Sequence, residues 1–175
     1  MTAPRRNLEL KVRVVDLGDV LARARGLGAR DEGTRRDVDT YFAVPQGRLK
    51  LRQTEGRPGG TLIAYRRADA PGSRHSHYRL VEVADAAGLL AALGTALGVR
   101  AVVAKERRLF VHGATRIHLD RVEGLGSFVE LETVLTTQTE AEATAEHELA
   151  KQALGLDAAE PVPVSYVDLL ERHRG

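Results

Sequence analysis

Several segments of this chain alternate strictly between apolar and polar residues, and this alternation constrains the fold more than any other feature. Residues 7–15 read NLELKVRVV, with Leu8, Leu10, Val12 and Val14 on one face and polar residues between them up to position 13. A two-residue period is typical of a β-strand, whose successive side chains point to opposite faces. The pattern therefore predicts strands that have one apolar and one charged face.

The charged face is unusual because cations repeat at alternate positions in further segments. Arg48, Lys50 and Arg52 share one face of a segment, and Lys105 and Arg107 share one face of another. On a solvated sheet such charges would pair across strands, each pair contributing about 0.2–1 kcal/mol. If helices cover the apolar faces, a closed sheet instead turns its charges inward, and such a cavity needs a counter-charged ligand.

The order of the elements favours an α+β fold with an antiparallel sheet or closed barrel, since the strands come in hairpin-like runs. Strands are predicted at residues 7–15, 38–44, 48–53, 61–67, 78–83, 101–111, 115–122 and 127–135. Residues 68–76 are predicted to form a polar loop. Helices are predicted at residues 16–27, 85–97, 139–154 and 165–172. No break resembles an interdomain linker, so residues 1–175 are expected to form one domain.

Composition excludes several classes of function. The chain has no cysteine, which rules out disulfides, thiolate metal sites and cysteine nucleophiles. The net charge is only +2 and aromatic residues make up 4%, so we expect no nucleic-acid partner. No stretch approaches the roughly 20 apolar residues of a membrane helix, and the N-terminus does not resemble a signal peptide. A cytoplasmic protein without a membrane partner is expected.

If the charged faces point inward, they bring together many cations and a few acids. The candidate cations are Lys11, Lys50, Arg52, Arg66, Lys105, Arg107 and Arg116, and the candidate acids are Glu9, Asp120, Glu130 and Glu132. Arginine and lysine donors suit phosphate oxygens, and arginine can bind them in bidentate fashion. Clustered carboxylates suit Mg²⁺ or Mn²⁺ shared with substrate phosphates. The set therefore indicates a site for a metal-bound triphosphate.

Six motifs, in order along the chain, resemble those of the CYTH superfamily, which includes class IV adenylate cyclases and thiamine triphosphatases. They are NLELK at residues 7–11, DTYF at 39–42, LKLR at 49–52, KERR at 105–108, IHLD followed by GLGSFVELE within 117–132, and SYVDLL at 165–170. The resemblance covers nearly the whole chain. It implies an eight-stranded antiparallel β-barrel that forms a tunnel, with helices packed outside.

The resemblance also implies roles for individual residues. Glu9, Glu130 and Glu132 would hold Mg²⁺ or Mn²⁺, and Asp120 would lie near the metals or the reacting group. The seven candidate cations would bind phosphate, and Lys11, Arg107 and Asp120 would take part in catalysis. One position departs from the family's ExExK motif, since its first glutamate is Asn7 here. Asparagine can coordinate through its oxygen but supplies no charge, so one negative metal ligand of the motif is missing here.

The resemblance implies two chemistries on one scaffold. In a cyclase the 3′-hydroxyl of ATP attacks the α-phosphorus and pyrophosphate leaves, whereas in a triphosphatase water attacks the terminal phosphorus. The block at residues 124–132 and the segment at 165–170 look closer to bacterial class IV cyclases, so we favour that reaction. The alternatives are hydrolysis of tripolyphosphate, thiamine triphosphate or nucleoside triphosphates, and a weakly active module that binds nucleotide or polyphosphate. A homodimer is compatible with the family.

Overall fold

The alternating segments form eight strands that hydrogen-bond in a closed ring. The structure, a computed structural model, describes residues 5–174. The strands are β1 (Arg5–Arg13), β2 (Arg30–Phe42), β3 (Arg48–Thr54), β4 (Gly60–Arg67), β5 (Arg74–Val83), β6 (Val99–His112), β7 (Thr115–Val122) and β8 (Gly126–Leu135). Their order around the barrel is β1-β5-β4-β3-β2-β6-β7-β8, and all neighbouring pairs are antiparallel. The predicted α+β class and eight-stranded barrel are confirmed.

Two strands begin well before their predicted starts. Residues 30–37 of β2 pair with β6, although RDEGTRRD contains no apolar residue. Residues 74–77 belong to β5, so the prediction of a loop over 68–76 was wrong at its C-terminal end, and Ser76 pairs with both Asn7 and Arg67. Residues 30–35 pair with β6 on one side, and residues 76 and 77 pair with both β1 and β4, so backbone hydrogen bonds to these strands hold both segments in the sheet whatever their side chains.

Four helices pack against the outside of this ring or across one of its ends. They are α1 (Leu17–Gly26), α2 (Ala86–Leu97), α3 (Glu140–Ala153) and α4 (Tyr166–Arg174). The side chains of Asp16, Asp85 and Thr139 accept hydrogen bonds from the first turns of α1, α2 and α3. Such caps satisfy backbone N–H groups that have no partner within the helix.

The helices cover the apolar outer faces of the strands, and this arrangement determines the direction in which the charged side chains point. Leu10, Ile117 and Val129 pack in one buried cluster with Val20 of α1. Leu51 packs in another with residues of α2. Burying each such side chain contributes about 1.5–3 kcal/mol, more than a surface ion pair contributes. The alternate, charged residues therefore point into the barrel, and a solvated charged face is excluded for these strands.

The segment between α3 and α4 closes one end of the barrel. The Val162 N–H donates to the Lys11 carbonyl over 2.8 Å. The Tyr166 ring packs edge-on against Phe128, with centroids 5.0 Å apart. The barrel interior is therefore a tunnel whose floor lies near Tyr166.

Among the described residues, no helix is both long and apolar enough to span a membrane.

Candidate active site

The barrel encloses a cavity of about 380 Å³ lined mainly by the inward-facing residues of its strands. Nine of the eleven predicted site residues line it: Glu9, Lys11, Lys50, Arg52, Lys105, Arg107, Arg116, Glu130 and Glu132. They come from β1, β3, β6, β7 and β8. Alternation along each strand and closure of the ring thus bring together residues that are up to about 120 positions apart in the chain.

Arg66 is one of the two predicted residues that do not line the tunnel. On β4 the residues Ile63, Tyr65 and Arg67 line the cavity, so Arg66 points outward, where it is exposed and donates to Gln46 over 2.7 Å. The prediction had the wrong face because the inner side of β4 carries apolar residues as well as a cation. Arg67 takes the inward position instead, and its Nη1 donates to Glu9 Oε2 over 3.0 Å.

Asp120 is the second exception. Its carboxylate is fully buried and receives hydrogen bonds from Arg107, at 2.6 Å from Nε, and from the Tyr166 hydroxyl at 2.8 Å. It does not line the cavity. It lies behind Arg107 and not on the tunnel surface, so its role near the metals or the reacting group stays a prediction. There it fixes the guanidinium that faces the tunnel.

A buried acid on β2 organises the cations on one wall of the tunnel. Asp39 Oδ2 accepts from Lys105 Nζ at 2.7 Å and from Lys50 Nζ at 2.8 Å, and Arg52 binds both carboxylate oxygens at 2.7 and 2.9 Å. Burial alone would raise the pKa of Asp39, but the three cations hold it well below its usual range. Asp39 lies within the DTYF motif, but alternation along the strand did not predict a role for it.

The pKa of Lys105, one of these cations, is strongly shifted. Burial, together with repulsion from the neighbouring Arg52, Arg107 and Lys50, lowers its pKa to about 7, although Asp39 offsets part of the effect. Its Nζ also lies 5.8 Å from the centre of the Tyr166 ring. This wall of the tunnel therefore contains more positive charge than its own acids neutralise, which favours an anionic ligand.

The opposite wall, formed by β1 and β8, carries the acids. Glu9 lies opposite Glu132 in the strand register. Burial, and then repulsion from Glu132, raise the pKa of Glu9 in spite of Arg67. Glu130 pairs with Lys11 at 3.1 Å and with Arg107 at 2.5 Å. Three carboxylates thus face one side of the cavity.

These carboxylates are held by cations in the structure. Within the described part of the chain, no three imidazole or carboxylate groups are gathered closely enough to hold a metal ion as they stand. Their donor chemistry nevertheless fits Mg²⁺ or Mn²⁺, because all three offer carboxylate oxygen. Asn7, which is 2% exposed and lines the same cavity, has an Oδ1 without a hydrogen-bond partner. Binding of a metal would exchange ion pairs with Lys11, Arg67 and Arg107 for metal contacts.

A third part of the lining is apolar. Ile63 and Tyr65 of β4 lie opposite Leu80 and Tyr78 of β5, and Leu109 of β6 also reaches the cavity. None of these aliphatic side chains can bind a phosphate chain. This wall suits the organic part of a ligand, because apolar and aromatic surface lines most sites for such groups.

The fold and the site define a class: closed antiparallel barrels whose tunnel is lined with cations on one wall and carboxylates on another. The CYTH domain family matches residues 5–166. The chain therefore belongs to the CYTH family, as the sequence motifs indicated.

Solved structures show the same fold. A Pyrococcus horikoshii protein, PH1012, is 25% identical with a TM-score of 0.83, over 93% of this chain and 98% of that one. A proposed adenylate cyclase from Vibrio parahaemolyticus is 19% identical with a TM-score of 0.72, over 94% and 97%. A proposed adenylyl cyclase from Hippeastrum, described as having a dominant triphosphatase activity, is 15% identical with a TM-score of 0.68, over 95% and 96%. No curated protein matches the chain.

Proposed function

We propose that this protein is a metal-dependent enzyme that converts ATP into cyclic AMP and pyrophosphate inside the tunnel. The observation that carries the proposal is a single cavity with three kinds of wall: cations on β3 and β6, carboxylates on β1 and β8, and apolar side chains on β4 and β5. A triphosphate, a divalent metal and a nucleoside match these three walls in turn. We place the enzyme in the cytoplasm.

The cations would bind and align the triphosphate. Lys50, Arg52 and Lys105 are already held together by Asp39, and Arg107 is held by Asp120. Such fixed donors lower the barrier because they need little reorganisation when charge develops on the phosphates. Lys11, buried beside Tyr166 with its Nζ 3.9 Å from the ring centre, would act at the closed end of the tunnel.

Glu9, Glu130 and Glu132 would hold the divalent metal. When bound, the metal would neutralise phosphate charge and polarise the reacting phosphorus. In the reaction the 3′-oxygen forms a bond to the α-phosphorus, the bond from that phosphorus to the bridging oxygen breaks, and pyrophosphate leaves. The hydroxyl proton passes to solvent. Arg107 would stabilise charge on the phosphates from its position between Asp120 and Glu130.

Hydrolysis of a triphosphate is the second candidate function, because the Hippeastrum protein is described as having a dominant triphosphatase activity. The same cations and acids would serve it, with water attacking the terminal phosphorus. The apolar wall favours an organic triphosphate over inorganic tripolyphosphate in either reaction.

Product analysis separates these functions. The protein is incubated with ATP or with tripolyphosphate, each with Mg²⁺ or Mn²⁺, and the products are followed by ³¹P NMR and chromatography. Cyclic AMP with pyrophosphate supports the cyclase. Orthophosphate and ADP would instead identify the protein as a triphosphatase. Tight binding of ATP without any product would identify it as a binding module.

Arg67 and Arg66 provide a matched pair that tests which face of β4 binds the ligand. Arg67→Met should weaken ATP binding by about tenfold or more, because it removes one inward guanidinium from a desolvated site. Arg66→Met removes the same charge from the outer surface and should change affinity by less than about twofold. Isothermal titration calorimetry gives both constants. Equal losses in the two variants would show that the tunnel is not the binding site.

Binding of a triphosphate should draw protons from solution above neutral pH. At pH 8.5 Lys105, with a pKa of about 7, is largely neutral in the free protein, and burial likewise lowers the pKa of Lys11 to about 8. A bound anion raises both pKa values, so both amines gain protons and affinity falls as pH rises.

We expect an uptake of about one proton or more per site at pH 8.5. It is measured by calorimetric titration with ATP, without divalent metal, in two buffers with different ionisation enthalpies. Equal heats in both buffers would contradict the prediction.

A further inference from the structure

Two polar side chains on the acid side of the tunnel are buried with atoms that have no hydrogen-bond partner. His118 is 4% exposed, its Nδ1 has no partner, and its Nε2 contacts only the Glu132 carboxylate, without hydrogen-bond geometry. Asn7 is 2% exposed with an unpaired Oδ1. Both side chains line the cavity. A buried polar atom left unpaired costs about 1–3 kcal/mol. Their position therefore indicates a ligand that would satisfy them.

The geometry around His118 indicates what that ligand is. Its Nε2 lies 3.2 Å from Glu132 Oε2, but the pair does not have the geometry of a well-formed hydrogen bond. Two neighbouring ligands of an octahedral divalent ion are about 3 Å apart, since each lies about 2.1 Å from the metal. A ring nitrogen then points at the ion and not at the neighbouring oxygen.

We propose that His118 is a nitrogen ligand of the divalent metal beside Glu132, that Asn7 contributes a neutral oxygen, and that this mixed set selects Mn²⁺ over Mg²⁺. The inference rests on the proposed function, which places a metal among Glu9, Glu130 and Glu132.

The selectivity follows from the donor types. Mg²⁺ prefers charged or water oxygen, whereas imidazole suits first-row transition metals. Asn7 stands where the family motif has a glutamate, so the site has one negative charge fewer to offer Mg²⁺. His118 replaces part of that interaction with a ligand that a transition metal binds well. The affinity of the site for Mn²⁺ therefore rises relative to its affinity for Mg²⁺.

The test observes the metal's ligands directly. The full chain is mixed with Mn²⁺ and methylenediphosphonate, a phosphate analogue without nitrogen, and examined by pulsed electron paramagnetic resonance. Wild type should show a ¹⁴N coupling typical of a bound imidazole. His118→Gln should lose the coupling and raise the Kd for Mn²⁺ by about tenfold or more, while the Kd for Mg²⁺, from competition, changes by less than about threefold.

His77→Gln is the matched control, since His77 is exposed on β5, and it should keep the coupling. The wild-type spectrum decides the question even if His118→Gln fails to fold. Bound Mn²⁺ without nitrogen coupling would overturn the role of His118 but leave a metal-dependent tunnel intact. If wild type and Glu132→Gln bind Mn²⁺ equally weakly, the metal site itself, and with it the proposed function, would be wrong.

Discussion

Replacing Glu132 by glutamine should lower the kcat for ATP by about a hundredfold to a thousandfold, the range typical when one electrostatic group of an active site is removed. Glu132 lines the tunnel opposite Glu9 and beside His118. The amide keeps the size of the side chain but removes the negative charge that would hold a divalent metal. Initial rates of product formation at saturating Mn²⁺ measure the effect.

Glu106→Gln is the matched control for this substitution. Glu106 is exposed on the outer face of β6, where it pairs with Arg121 at 3.1 Å. The same chemical change there should leave kcat within about twofold, since surface ion pairs contribute little. A Glu132→Gln variant as active as Glu106→Gln would show that the acid wall does not take part in the reaction.

Asp39→Asn should cause the largest loss of stability among single substitutions in the tunnel. The change leaves Lys50, Arg52 and Lys105 together without their shared carboxylate. Breaking a buried charge network costs about 3–5 kcal/mol, which for a chain of this size lowers Tm by about 6–20 °C. Thermal unfolding of the ligand-free protein at pH 7 measures it.

Two further observations bear on this prediction. ATP without metal should raise the Tm of the Asp39→Asn variant more than that of wild type, because the triphosphate replaces the missing negative charge. Asp31→Asn, on the same strand, removes a surface pair with Arg108 and should cost less than about 1 kcal/mol. Similar, small losses in both variants would mean that Asp39 does not organise the cations.

The inner face of the barrel could be predicted from the sequence wherever apolar and charged residues alternate. β3 and β8 show the pattern clearly, and Lys50, Arg52, Glu130 and Glu132 all line the cavity. The pattern fails on β4, where Arg66 and Arg67 are adjacent and the inward face carries Ile63 and Tyr65 as well. Alternation shows that one arginine points inward but cannot show which.

Other features depend on contacts that no local pattern encodes. Asp120 lies behind Arg107 partly because Tyr166, 46 positions later at the start of α4, donates a hydrogen bond to it. Asp39 belongs to the cation wall because β2 lies between β3 and β6 in the barrel. The contact between His118 of β7 and Glu132 of β8, at 3.2 Å without hydrogen-bond geometry, depends on side-chain directions that the sequence does not give.

A crystal structure of the protein with Mn²⁺ and α,β-methylene-ATP would show directly whether the tunnel binds the triphosphate and the metal. We expect triphosphate density between the cations of β3 and β6, the nucleoside against Ile63 and Leu80, and an anomalous Mn²⁺ peak beside Glu132. Nucleotide and metal bound on the outer surface, with the ion pairs of the tunnel unchanged, would contradict this expectation.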